Sequence, residues 1–204
     1  MKRKIRGLIF IAAGLVMTFS AACLFSFYEA QERAAGDHAE ALLQELRQEM
    51  ETQVQPEMPK SEEAEPTALP QTTLNGYAVV GILQVPAVGL ELPVLDNWNY
   101  DLLQLAPCRY SGSIKEGNLI LLAHNYDRHF GRFKELEPGD TVSFLSVDGT
   151  AHKYTVAITE HLQKTELEKL TVSDHELTLF TCTKGGHSRV VVRCDRIVDM
   201  GEIQ

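Results

Sequence analysis

The chain opens on an uninterrupted apolar block: residues 7–27 read GLIFIAAGLVMTFSAACLFSF, twenty-one positions without a charge. At about 1.5 Å per residue a helix of that length covers a hydrocarbon core of about 30 Å, so a transmembrane helix is expected. The pattern then changes. Across 28–52 Ala, Glu, Gln, Leu and Arg dominate, and Leu42, Leu43, Leu46 and Met50 recur at helical spacing. That predicts a juxtamembrane helix with one narrow apolar stripe. The stripe falls short of the roughly three heptads a coiled coil needs, so it reads as a solvated stalk. Pro56, Pro59, Pro66 and Pro70, set among Glu, Thr and Gln, mark a flexible linker up to residue 75.

From residue 76 to 204 the pattern becomes short Val-, Ile- and Leu-rich runs, broken by turn signals such as Pro138-Gly139-Asp140 and Asp148-Gly149. These predict strands over 79–85, 90–95, 118–124, 141–147, 152–161, 176–182 and 189–197, with short helices near 100–105 and 166–170. A mostly β barrel or sandwich follows, preceded by the membrane helix and its stalk.

Charge orients this layout. Lys2, Arg3, Lys4 and Arg6 precede the apolar block and Glu29 and Glu32 follow it, which places the N-terminus in the cytoplasm and the β domain outside. A cleaved signal peptide is the competing reading, since Ser20, Ala21 and Ala22 are small and Cys23 invites a lipoprotein site. The run continues through Leu24, Phe25 and Phe27, which favours an uncleaved anchor. The net charge of −9 removes the attraction that phosphate backbones require, and nucleic acid is excluded as a partner.

The four cysteines, Cys23, Cys108, Cys182 and Cys194, form no CxxC pair and read as individual thiols, with a Cys108–Cys194 disulfide left open. Two predicted strands end on chemistry. The run Leu119 to Ala123 delivers His124, and Thr178 to Thr181 delivers Cys182 to a Gly-containing loop. Arg189 begins the next strand. A lone buried Cys or structural His is the ordinary reading of each, and a solvated edge charge that of Arg189. Together they supply what acyl transfer from an amide needs: a thiol nucleophile, a proton donor for the leaving amine, and a permanent cation for the oxyanion. Alternation along the last strand puts Val191 and Arg193 on the face of Arg189 and Cys194 on the other, which argues against Cys194 as nucleophile. Nothing beside Cys108 supplies a base and donor. His129, His152, His161, His175 and His187 lack metal-ligand spacing and read as surface residues, and no metal site is expected. Glu135, Glu137 and Asp140 read as solvated turn acids, with calcium left open, and Asp127 is a weak candidate for orienting His124.

The segments LLAHNY (121–126), TLFTC (178–182) and SRVVVRC (188–194) resemble the sortase pattern of His, then TLxTC, then Arg. The resemblance runs over about residues 77–198 and takes in ILQVPAVGLELPVL (82–95) and HFGRFKELEPGD (129–140). It implies a closed β-barrel and a cofactor-free cysteine transpeptidase. Cys182 would attack the Thr–Gly carbonyl of an LPxTG-like sorting signal on a secreted protein and form a thioester. His124 would serve as acid and base, Arg189 would face the oxyanion, and Thr181 would contact substrate. The acceptor implied is an amine of a cell-wall precursor or a pilin. Ala123 stands where many members carry Gly before the histidine, the loop from Cys182 to Arg189 is short, and no lid segment is evident, so the subclass stays open. The alternatives are a membrane-anchored cysteine peptidase or amidase that hydrolyses its acyl-enzyme, and a non-catalytic peptide-binding barrel.

Overall fold

A computed structural model describes residues 2–52, 69–166 and 168–197, so the prolines of the expected linker, Pro70 excepted, lie outside the described residues. The first element is the helix α1 (Lys2–Thr52), and contacts divide the chain into two compact units, Met1–Ala34 and Ala35–Gln204. In the first unit Phe10, Leu15, Phe19 and Phe25 are all exposed, and the helix is long and apolar enough to cross a membrane. An exposed helix that is apolar all round suits lipid.

In the second unit the apolar stripe of α1 is not solvated. Ala35, Ala39, Leu42, Leu43 and Leu46 are buried, and the last three join Val79, Ile82 and Leu95 in one apolar cluster on the barrel's outer surface. Polar contacts fix the same seam, from Asn75 to Glu45 and from Arg47 to Glu91. The stripe was too short to pair with a second helix because its partner is a sheet. Fully burying a leucine contributes about 2 kcal/mol, so this part of α1 belongs to the folded unit energetically as well as spatially.

The strands are β1 (Thr72–Leu74), β2 (Tyr77–Val85), β3 (Leu90–Leu95), β4 (Cys108–Ser111), β5 (Leu119–Ala123), β6 (Thr141–Ser146), β7 (Ala151–Gln163), β8 (Leu177–Cys182) and β9 (Ser188–Arg196). Two short helices, α2 (Tyr100–Leu103) and α3 (Glu168–Thr171), interrupt them. Eight strands close in the order β2-β3-β4-β5-β8-β9-β7-β6 and back to β2, with β1 added on the edge of β2. Closure leaves no unpaired edge in the ring. The β3–β4 and β5–β8 pairings are parallel, and the others are antiparallel.

All seven expected strands and both short helices are present. Two strands were not anticipated. β1 pairs with β2 through the two-residue turn Asn75-Gly76, whose φ values of 51° and 83° are the left-handed pair that a type I′ hairpin demands. β4 is only four residues long, and a bulge breaks its pairing with β5 between Arg109 and Ser111.

The ring separates two apolar layers. Leu119, Leu121, Leu177, Leu179, Val192 and Cys194 fill the interior, whereas Ile120, Leu122, Phe180, Val191 and Cys108 lie in the outer cluster. Cys108 and Cys194 are therefore on opposite sides of the wall, both free and fully buried, which closes the disulfide possibility. Burial pushes both thiols up to about 12, so neither is a source of thiolate.

Candidate active site

The register of three adjacent strands assembles the site. In the parallel β5–β8 ladder the last pair is Ala123 with Thr181, so His124 and Cys182 are the next residues on neighbouring strands. In the antiparallel β8–β9 ladder Cys182 stands directly opposite Arg189, and Arg189 in turn faces Leu162 on β7. Neighbouring strands lie about 4.8 Å apart, so the three side chains start from backbone positions within about 10 Å of one another. The two-residue period fixes their side. Residues 119, 121 and 123, and 177 and 179, point into the barrel, which sends His124 and Cys182 to the outer face. Arg189 shares that face with Val191.

Three rows follow on this outer face. His124, Cys182, Arg189 and Leu162 form the rim row. Leu122, Phe180, Val191 and Glu160 form the second, and Ile120, Thr178, Arg193 and Ile158 the third. Cys182 therefore sits between an imidazole strand and a guanidinium strand, above an apolar floor.

The loop between Cys182 and Arg189 is short because it turns on two left-handed glycines, Gly185 (φ 89°) and Gly186 (φ 69°). The Thr183 amide donates to the Ser188 carbonyl at 3.0 Å, and the Gly186 amide to the Thr183 carbonyl at 2.8 Å. Arg189 is half-buried, and its Nη1 donates to the Ser188 carbonyl at 3.1 Å. Thr181 takes the opposite parity. Its hydroxyl is buried and donates to the Ala123 carbonyl at 2.8 Å, stitching β8 to β5 one residue before Cys182 and His124. That geometry makes it a clamp between the two strands.

The segment after His124 folds back on itself. The Phe130 amide donates to the His124 carbonyl at 3.1 Å, and the His129 and Gly131 amides both donate to the Tyr126 carbonyl at 2.9 Å. A Cβ on Gly131 would lie 2.4 Å from the Asn125 carbonyl oxygen, so only glycine permits this closure. The second unit's part of α1 grips the loop from outside: Arg128 donates to Asp37 at 2.6 Å and to Glu40 at 2.9 Å. The His124 ring packs 4.9 Å from that of Tyr126, and burial lowers its pKa by disfavouring the charged imidazolium.

His129 corrects the sequence reading. Instead of a surface residue it is fully buried, its ring beside the Ala35 backbone but without a well-formed hydrogen bond at either nitrogen, and burial drives its pKa down to about 4. The sign is fixed by linkage. Between about pH 6.5 and 4 the unfolded chain binds a proton that folded His129 refuses, so stability present above 6.5 is lost as pH falls, at up to about 1.4 kcal/mol per pH unit. The expected result is a melting temperature that drops from pH 7 to 4.5 in the parent chain. His129→Phe flattens this slope, and an unchanged slope would assign the loss elsewhere.

Several residues of the surroundings were not singled out in the sequence. Trp98 stacks on Tyr110 at 5.6 Å and Tyr110 meets Phe180 edge-on at 5.2 Å, forming an aromatic flank on the β4–β5 side of the floor. Leu170 of α3 joins Leu162, Phe180 and Val191 in the outer cluster and flanks the other side. Alternation from Cys182 back to Phe180 was the available signal for Phe180. Alternation along β9 already set Arg193 on the face of Arg189, but nothing local pointed to Trp98 or Leu170. Among the described residues no group of three or more His, Cys, Asp or Glu is placed to hold a metal ion.

A closed eight-stranded barrel with an outward Cys-His-Arg row at one rim is the architecture to compare. Residues 83–197, more than half of the chain, match the Sortase domain family, and the chain belongs to that family. Sortase D of Bacillus subtilis (strain 168) is 31% identical over 107 residues, covering 50% of this chain and 53% of that protein. Sortase A of Bacillus anthracis is 30% identical over 135 residues, covering 61% and 63%. The chain thus spans between about half and two thirds of the length of these relatives. Among solved structures, sortase C-3 of Streptococcus pneumoniae superposes with a TM-score of 0.54 at 20% identity over 83% of this chain and 85% of that one. The Clostridium perfringens sortase D5 transpeptidase gives 0.54 at 13% identity over 81% and 99%. At those identities the likeness speaks for the fold.

Proposed function

We propose that this chain is a membrane-anchored cysteine transpeptidase that cuts a C-terminal LPxTG-like sorting signal and transfers the new carboxyl end to an amine. The observation that carries the reading is the register placing Cys182 between His124 and Arg189 on the outer face. In the first half-reaction the Cys182 sulfur bonds to the scissile carbonyl carbon as its thiol proton passes to His124, and the oxyanion that forms lies toward Arg189. The carbon–nitrogen bond then breaks as His124 gives a proton to the departing amine. In the second half-reaction an incoming amine attacks the thioester, its surplus proton passes to His124, and Cys182 leaves as a thiolate that takes this proton back from His124. An amide is consumed and an amide is made, so the balance needs no cofactor.

The apolar flanks around Leu122 and Phe180 suit the leucine and proline of such a signal. Thr181 would act on substrate only indirectly, by holding the strands of Cys182 and His124 in step. With α1 as a single-pass anchor and the N-terminus in the cytoplasm, the barrel stands outside the membrane. Secreted proteins bearing a sorting signal are then the donors, and a cell-wall precursor or a pilin supplies the acceptor amine. The domain layout that goes with this reading is an anchor over 7–27 and a catalytic barrel from about residue 76, steadied by α1.

The test is incubation of the full-length chain, in detergent, with a panel of sorting-signal peptides and a glycine or lysine amine. Intact-mass measurement is expected to show an acyl adduct on Cys182 and an amide product that grows with amine concentration. Hydrolysed peptide with no amide at any amine concentration would make the chain a peptidase. No adduct across the panel, from a folded barrel, would remove the enzyme reading.

A further inference from the structure

The third row of the outer face carries a buried cation with no part in the chemistry above. Arg193 is 4% exposed and lies directly opposite Thr178, four residues before Cys182 on β8. Its Nε donates to Glu160 of β7 at 3.0 Å, and its Nη1 to the Thr178 hydroxyl at 3.1 Å and the Leu170 carbonyl at 3.2 Å. Its Nη2 donates to the Lys169 carbonyl at 2.5 Å. Four of the five guanidinium donors are thus engaged. Two of them end on carbonyls of α3, a single turn that cannot hold itself together by helix propensity. Arg193 therefore ties three elements together at one point: β7, β8 and the connection between them that carries α3.

That connection is the flank whose Leu170 shares the outer apolar cluster with Phe180 and Val191, one row below the Cys182–Arg189 pair. A buried arginine used only for stability is an inefficient device, because its desolvation offsets much of its attraction to Glu160. Its directional, forked donors are suited instead to fixing backbone carbonyls in place. We infer that Arg193 is a positioning residue that sets substrate binding: it holds α3 against the sheet so that the flank beside Phe180 is formed before the peptide arrives. Preorganised flanks lower the ordering cost of binding and leave the reacting atoms untouched. The inference rests on the transpeptidase reading, and its signature is a split between KM and kcat.

The test uses the full-length chain with the sorting-signal peptide that the parent enzyme turns over, comparing Arg193→Met and Arg193→Lys. Arg193→Met is expected to raise KM about tenfold with kcat within about threefold, and Arg193→Lys to recover part of the loss. The rate at which a small methanethiosulfonate modifies Cys182 stays at the parent value, since that reagent needs no flank. Amide exchange within α3 speeds up while exchange in β5 does not. Should Arg193→Met fail to fold, Arg193→Lys with the α3 exchange measurement decides alone. A KM at the parent value, a fall in kcat with KM unchanged, or unaltered α3 exchange overturns the inference. If the parent chain itself forms no acyl-enzyme, the transpeptidase reading has failed instead, and the exchange data still report whether Arg193 holds α3.

Discussion

Replacing Cys182 with alanine is expected to abolish acyl-enzyme formation and lower transfer by at least about 10³-fold, while leaving the melting temperature within a few degrees of the parent. Loss of a covalent nucleophile removes a whole reaction path, and the residual rate comes only from binding and oxyanion donors. Stability is spared because Cys182 is half-buried at the end of β8 on the outer face, and the change deletes one sulfur without opening a core cavity. Cys108→Ala and Cys194→Ala should give the reverse pattern. Both thiols are fully buried in opposite apolar layers, so each substitution costs on the order of 1 kcal/mol of stability and leaves the adduct on Cys182 intact. Intact mass after peptide exposure, read beside thermal unfolding, separates the three variants. Peptide transfer by Cys182→Ala at even a tenth of the parent rate would sink the nucleophile assignment.

The contrast among these cysteines shows how far the sequence could be read. Strand alternation from Arg189 already set Cys194 on the wrong face, and the interior cluster places it there. His124 and Cys182 were legible as strand ends because the apolar run Leu119 to Ala123 and the strand-patterned run Leu177 to Thr181 stop at them. What no local pattern encodes is which strands are neighbours. The parallel β5–β8 pairing joins segments more than fifty residues apart, and it is this pairing that turns two strand ends into one site. The same limit explains His129. An isolated histidine in a polar stretch looks solvated until Phe130 and Phe133 stack at 4.1 Å in the interior and draw the loop inward, with α1 closing over it. The Asn75-Gly76 hairpin, by contrast, had a readable two-residue signal. The stripe of α1 was readable too, but its period says only that one face is apolar and not what covers it.

Arg189 is where a catalytic group and an ordinary edge charge predict the most different outcomes. Its strand position opposite Cys182 is fixed by the ladder, and its guanidinium donates to the Ser188 and Gly186 carbonyls of the loop that joins the two strands. If the group stabilises the oxyanion, Arg189→Met should lower kcat by about 10²- to 10³-fold, the range seen when a single oxyanion donor is removed, with KM changed far less. Arg189→Lys should recover only part of this, because an ammonium keeps the charge without the planar pair of donors. A solvated edge charge predicts something else: about 1 kcal/mol or less in any parameter, screened by salt. Single-turnover acylation at low and high ionic strength distinguishes the two. A salt-insensitive loss confined to the acylation step supports the oxyanion role. A salt-dependent change of a few-fold returns Arg189 to the surface and leaves the tetrahedral intermediate to other donors at the rim.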